Sequence, residues 1–192
     1  MKVRDLVLAV AAGLVVAPSV FAQTVQGPLG ATSTGNVEVT MTVTDSVEIT
    51  DLQTLALGTF GGANTGDQNA EDAYCVYANG GDAYSIDVTS TNTAATDDSN
   101  KFFLLGATDA DQIMYTVKLG GRLVTNSTTV TAASAESVIN YGGTSSTFYG
   151  EKTRNCAGST NAGIRVDIAE QEIRDASSGT YADTIILIVN PV

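Results

Sequence analysis

Residues 35–50 read GNVEVTMTVTDSVEIT, and their side chains alternate with a period of two. Val37, Val39, Met41, Val43, Val47 and Ile49 take the odd positions, while Glu38, Thr40, Thr42, Thr44 and Glu48 take the even ones. In a β-strand this pattern gives one apolar and one polar face. Asp45 is the single break in the apolar face. The run is much longer than the usual strand of about five or six residues. A strand this long with one greasy face needs a groove to lie in, either in its own domain or in a neighbouring molecule.

Residues 1–22 read as a secretory signal peptide. Lys2 and Arg4 make a positive start, residues 6–16 are apolar apart from Gly13, and Pro18 and Ser19 break the run before Val20-Phe21-Ala22. Small residues two apart, ahead of a cleavage point, complete the signal and give an expected mature start at Gln23. The apolar run is shorter than the ~20 residues a membrane span requires, which disfavours the alternative of an N-terminal anchor. About 170 residues then remain, enough for one domain with a sizeable core.

The formal charge of −12 becomes −13 once Lys2, Arg4 and Asp5 are removed. Binding to phosphate backbones or anionic lipid requires clustered Lys and Arg, and the seven remaining basic residues are scattered. Nucleic acid and direct membrane insertion are therefore not expected. Two cysteines, Cys75 and Cys156, make an even count, which in an exported chain favours a disulfide over two free thiols. Closing so long a loop contributes roughly 4–5 kcal/mol in the chain-entropy model.

Residues 23–34 are rich in Gly, Thr, Ser and Gln and read as a flexible leader. Short strands are expected at 55–60 (LALGTF), 73–78, 83–89, 102–105, 113–119, 163–169 and 184–190. Asn79-Gly80 between two strand-like runs signals a hairpin or a bulge in one long strand, and Gly120-Gly121 signals a turn. Residues 184–190 (TIILIVN) are apolar on both faces, the pattern of a central strand covered on both sides. A helical turn is expected only over 132–138. The sum is an all-β fold, an antiparallel β-sandwich.

At this point the residues carry a resemblance. Gly35-Asn36-Val37-Glu38-Val39-Thr40-Met41 followed by LALGTF, Tyr74-Cys75-Val76 followed by Tyr84-Ser85-Ile86-Asp87-Val88, and Gly179-Thr180-Tyr181-Ala182-Asp183-Thr184 before the last apolar strand resemble archaic chaperone–usher pilins and the related spore coat U domain. The resemblance implies an immunoglobulin-like sandwich that lacks its last strand. It divides the chain into a signal peptide (1–22), a leader (23–34), a donor-strand-like segment (35–50) and a pilin-like domain (51–192). Val37, Val39, Met41 and Val43 would form the donor face, with Asp45 and Ser46 as the hinge. Ile185, Ile186, Leu187, Ile188 and Val189 would border the acceptor groove. The implied partners are further copies of the chain, a periplasmic chaperone and an outer-membrane usher, and the implied location is a cell-surface fimbria. One departure is that Ser46 and Val47 stand where many members carry the second cysteine, here replaced by Cys156.

Little points to catalysis. There is no histidine and no Gly-rich phosphate loop, and the plentiful Ser and Thr have no base beside them. No cofactor is expected. Asp97-Asp98 and Asp109-Ala110-Asp111 lack the Gly and distal Glu of a calcium loop, so no metal site is expected either. Asn126-Ser127-Thr128 matches a glycosylation acceptor by letter. Tyr141, Phe148 and Tyr149 offer a sugar platform for the alternative function, a monomeric secreted binding module for glycans or a surface coat. The leading expectation is a non-enzymatic fibre subunit with a role in adhesion or biofilm formation.

Overall fold

The computed structural model describes residues 26–61, 65–92, 101–107, 111–123, 125, 128–132 and 138–192. The signal peptide and Gln23 lie outside these residues, as do Asp97, Asp98, Asp109, Ala110, Asn126, Ser127 and most of the expected helical turn over 132–138. The chain divides into two compact units between Val43 and Thr44.

The second unit, Thr44–Val192, is built from antiparallel strands. In chain order these are β1 (Val47–Thr50), β2 (Gln68–Ala78), β3 (Ala83–Ser90), β4 (Phe102–Leu105), β5 (Gln112–Leu123), β6 (Thr129–Val130), β7 (Val138–Ile139), β8 (Phe148–Tyr149), β9 (Ala162–Ile168), helix α1 (Glu170–Asp175) and β10 (Ile185–Pro191). Their order in space is β1-β2-β9-β5-β8-β3-β10, with β4, β6 and β7 also paired to β5.

Strand β5 joins the two layers. Thr116 to Gly120 pair with β9, whereas Gly121, Arg122 and Leu123 pair with β6 and β8. The expected turn at Gly120-Gly121 is thus a crossing inside one long strand. A Cβ on Gly120 would sit 2.5 Å from the backbone nitrogen of Ala132, and one on Gly121 would sit 2.8 Å from the Phe148 ring. These glycines allow close backbone approach and do not reverse the chain.

Asn79-Gly80 also does something other than close a hairpin. A 3₁₀ turn over Asn79–Gly81, with Gly80 and Gly81 at φ 79° and 74°, joins β2 to β3, but the two strands do not pair. Strand β2 lies between β1 and β9, and β3 lies between β8 and β10. The turn chemistry is local, and it carries the chain from one layer to the other because both strands bury an apolar face in the same core.

That core holds Tyr74 and Val76 of β2, Tyr84, Ile86 and Val88 of β3, Tyr115, Val117 and Leu119 of β5, and Ile164, Val166 and Ile168 of β9. The Tyr115 hydroxyl donates to Asp183 at 2.6 Å. Helix α1 was not expected from the sequence. It begins with Glu170 and Glu172 and ends with Arg174, charges that suit the two ends of a helix. Arg174 and Glu170 pair one turn apart.

Two further expectations are corrected. Residues 55–60 form no strand, although Leu55 and Leu57 pack against the core. Strand β10 is not central: it pairs only with β3 among the described residues, and its Ile186 and Ile188 are 41% and 49% exposed. Its two apolar faces report what can cover the strand, not what covers it in this unit.

Candidate functional site: an open seam between two sheet edges

The two ends of the strand order, β1 and β10, are edges. Among the described residues β1 has only β2 as a ladder partner, and β10 has only β3. They are nevertheless neighbours, with Cα atoms approaching within 8 Å. The start of β1 and the end of β10 line one cavity of about 290 Å³ together with Asp45, Ser46, Asn79, Asp82 and Tyr149. Paired strands lie about 4.8 Å apart, so one missing strand would leave a gap of about 9.5 Å. The two edges form no ladder with each other, and at their closest they are nearer than that gap.

The inner faces of these edges are only partly covered. Val47 and Ile49 of β1 and Ile185, Leu187 and Val189 of β10 pack against the core, yet each remains half-buried. Leu55 and Leu57 are half-buried against the same core, and Leu55, Ala56, Leu57 and Gly58 form no backbone hydrogen bond among the described residues. The seam is therefore an apolar floor beneath unpaired backbone. Free N–H and C=O groups along an edge favour pairing with another strand.

Strand β1 has four residues, and its outer face is held from outside. Glu48 takes two hydrogen bonds from Arg154, from Nε at 2.8 Å and from Nη2 at 2.6 Å, and Thr50 Oγ1 donates to Asn155 Oδ1 at 3.1 Å. The guanidinium beside Glu48 holds its carboxyl below the usual carboxylate range. Asn155, Cys156 and Ala157 have φ of 54°, 43° and 53°, a left-handed turn of residues that rarely adopt it. Cys156 is bonded to Cys75, which is the register partner of Thr50. The disulfide thus fastens this turn across the β1–β2 pair.

The residues singled out from the sequence fall as follows. Val37, Val39, Met41 and Val43 are 73%, 88%, 85% and 66% exposed, and residues 37–46 belong to no strand. The expected single strand over 35–50 is therefore shortened to Val47–Thr50, which has a ladder partner in β2. Val47 and Ile49, read as the tail of the donor-like segment, are instead one wall of the seam. Asp45, the break in the alternation, was the signal for that division. The contribution of Arg154 had no local signal, because it lies 106 residues from Glu48.

The aromatic platform does not form. Phe148 is buried and packs near Tyr84, Tyr141 leans on Phe102, and Tyr149 stacks under Arg122. On the outer face of β9 and β5, Asp167 is partly buried, which works against its charge, but Lys118 at 2.9 Å and Arg165 at 2.7 Å hold its carboxyl below the ordinary range. No cluster of three or more His, Cys, Asp or Glu suited to a metal ion occurs among the described residues. No helix among them is long and apolar enough to cross a membrane.

No family model and no curated protein matches the sequence. Among solved structures, a chain of a chaperone–tip adhesin complex of CFA/I fimbriae biogenesis is similar at 13% identity and a TM-score of 0.49. The match covers 76% of this chain and 42% of that one, so this chain spans less than half of that chain's length. The antiparallel fold described above stands on the chain's own strand pairing.

Proposed function

We propose that this chain is a non-enzymatic structural subunit of a bacterial surface fibre, assembled by donor-strand exchange and serving adhesion or biofilm formation. The observation that carries this reading is the seam: two unpaired edges, β1 and β10, flank a half-covered apolar floor in a chain that also carries an alternating, exposed apolar segment. Residues 35–44 of one copy enter the seam of the next as an added strand. Backbone hydrogen bonds supply affinity, and side chains seated at alternate positions set the register.

The energetics favour exchange. Burying Val37, Val39, Met41 and Val43 contributes about 1.5–3 kcal/mol each, before the cost of ordering the arm. The inner faces of β1 and β10 lose their remaining exposure in the same step. Because the edges approach within 8 Å, they must part to admit a strand, and a chaperone that holds them open fits that need. The partners in this reading are further copies of the chain, a periplasmic chaperone and an outer-membrane usher, along an export route that ends at the cell surface.

Electron microscopy of the exported material tests the proposal. Thin unbranched fibres containing this chain are expected. A dispersed monomer in the exported fraction would overturn it.

A further inference from the structure

We infer that Asn79 is the positioning residue of the fibre joint: its side chain stands in for a stretch of strand and holds the backbone of Thr44 and Ser46 where the arm leaves the domain. The inference rests on the strand-exchange reading and assigns a role that reading leaves open.

The geometry is specific. The β1–β2 ladder runs from Thr50↔Cys75 to Val47↔Ala78, so the next position would set Ser46 against Asn79. There the Asn79 backbone N–H donates to the Ser46 carbonyl at 3.1 Å, which continues the ladder by one bond. The side chain then extends it. Its Oδ1 accepts from the Ser46 N–H at 2.8 Å, and its Nδ2 donates to the Thr44 carbonyl at 2.9 Å. A side-chain amide offers an acceptor and a donor on two separate atoms, as a peptide bond does.

The same device occurs again among the described residues. Asn161 accepts from the Val76 N–H and donates to the Val76 carbonyl, both at 2.8 Å, and so prolongs the β2–β9 pairing past Tyr74↔Ala162. That copy lies at an interior junction. The Asn79 copy lines the cavity at the end of the seam, beside Val47, Pro191 and Val192. The end of the seam, where a neighbour's strand finishes or begins, and the exit of the chain's own arm thus share one wall. Fixing Thr44 and Ser46 there sets the angle between one copy and the next.

Two variants test this. Asn79→Ala removes both side-chain bonds. Asn79→Asp keeps the acceptor for Ser46 but turns a second oxygen toward the Thr44 carbonyl, until the carboxyl is protonated and donates again. Asp45 and Asp82 line the same cavity, with Glu151 and Lys152 near the turn. The carboxylates disfavour a further negative charge there, whereas Lys152 and the Ser46 N–H favour it.

In the soluble chain, Asn79→Ala should speed amide exchange at Ser46 by roughly 30-fold, the factor implied by two hydrogen bonds of about 1 kcal/mol each. Fibres of Asn79→Ala should be visibly more flexible than wild type, with a shorter persistence length in micrographs. Fibres of Asn79→Asp should be flexible at pH 7 and stiffen toward wild type on acidification, while wild-type stiffness does not rise. A domain merely weakened by the substitution would not stiffen in acid, so this arm keeps the test decisive even where Asn79→Ala fails to assemble. Wild-type stiffness in Asn79→Ala fibres, or no acid rescue in Asn79→Asp fibres, would overturn the inference alone. Failure of the wild-type chain to form fibres at all would overturn the strand-exchange reading and this inference with it.

Discussion

Strands β9 and β10 are both seven residues of mostly aliphatic sequence, AGIRVDI and IILIVNP, and they end in opposite surroundings. The first alternates cleanly and lies between β2 and β5, with Ile164, Val166 and Ile168 at most 4% exposed. The second is apolar on both faces and lies at an edge, with its inner residues half-covered and its outer isoleucines open. An amphipathic strand in the middle needs no more than its neighbours provide. A doubly apolar strand at an edge has more greasy surface than its own domain covers. The difference locates the side where apolar surface is left uncovered, and the four-residue β1 across the seam shares it.

Substitutions can sharpen this contrast. The largest effect is expected in the interior: Leu119→Ala in β5, fully buried, should cost about 2–5 kcal/mol in a denaturant titration of the monomer. At the seam, Leu187→Ala removes a half-buried side chain and should cost only about 1–2 kcal/mol, in proportion to the area it covers. In the proposed fibre the same substitution should approach the interior value, because in that reading a neighbour's strand covers it. On the open face of β10, Ile188→Ala should change monomer stability by less than about 1 kcal/mol. An interior-sized loss at Ile188 would break the comparison, since the strand would then be covered on both sides.

The smallest effect is a pH response at β1. The carboxyl of Glu48 is held below its ordinary range by Arg154. A depressed carboxylate contributes stability above its unfolded pKa of about 4.3 and loses it as pH falls through the lower folded value. Acidification below the ordinary carboxylate range should therefore lower the exchange protection of the Val47–Thr50 amides before the centre of β3 responds. Arg154→Ala should produce the same local loosening at neutral pH and abolish its pH dependence. Equal responses in β1 and β3 would show that Arg154 does not hold the edge.

The sequence made much of this legible, and its failures have a common cause. Alternation located β9, β3 and the first half of β5, because a period of two is a property of the strand itself. It could not tell which strand would be an edge, since that depends on ladder partners far along the chain. The doubly apolar TIILIVN therefore looked central. Asn79-Gly80 and Gly120-Gly121 show the same limit. Each signals a special backbone, but whether it reverses a chain or lets two backbones approach is decided by what lies opposite, Ala132 and Phe148 in the second case. Cys75–Cys156 was open to parity reasoning, whereas the left-handed turn around Cys156 and its hold on Glu48 were not. Of the seam, the strand over 185–189 was named from the resemblance. Its opposite wall, Val47 and Ile49, lies just past the hinge expected at Asp45 and Ser46, and alternation alone could not show that these residues pair with β2 and border the seam.

In the strand-exchange reading, residues 35–44 of one copy complete the sheet of another. Native assemblies of the wild-type chain should run as a ladder in SDS without boiling and collapse to a monomer on boiling. Met41→Asp places a charge on the face that enters the apolar seam, a desolvation cost of several kcal/mol at every joint, whereas Thr42→Asp places one on the opposite face. Met41→Asp should abolish the ladder and leave a folded monomer, with Thr42→Asp close to wild type. An intact ladder in Met41→Asp, or a Met41→Asp chain that no longer folds, would contradict that reading.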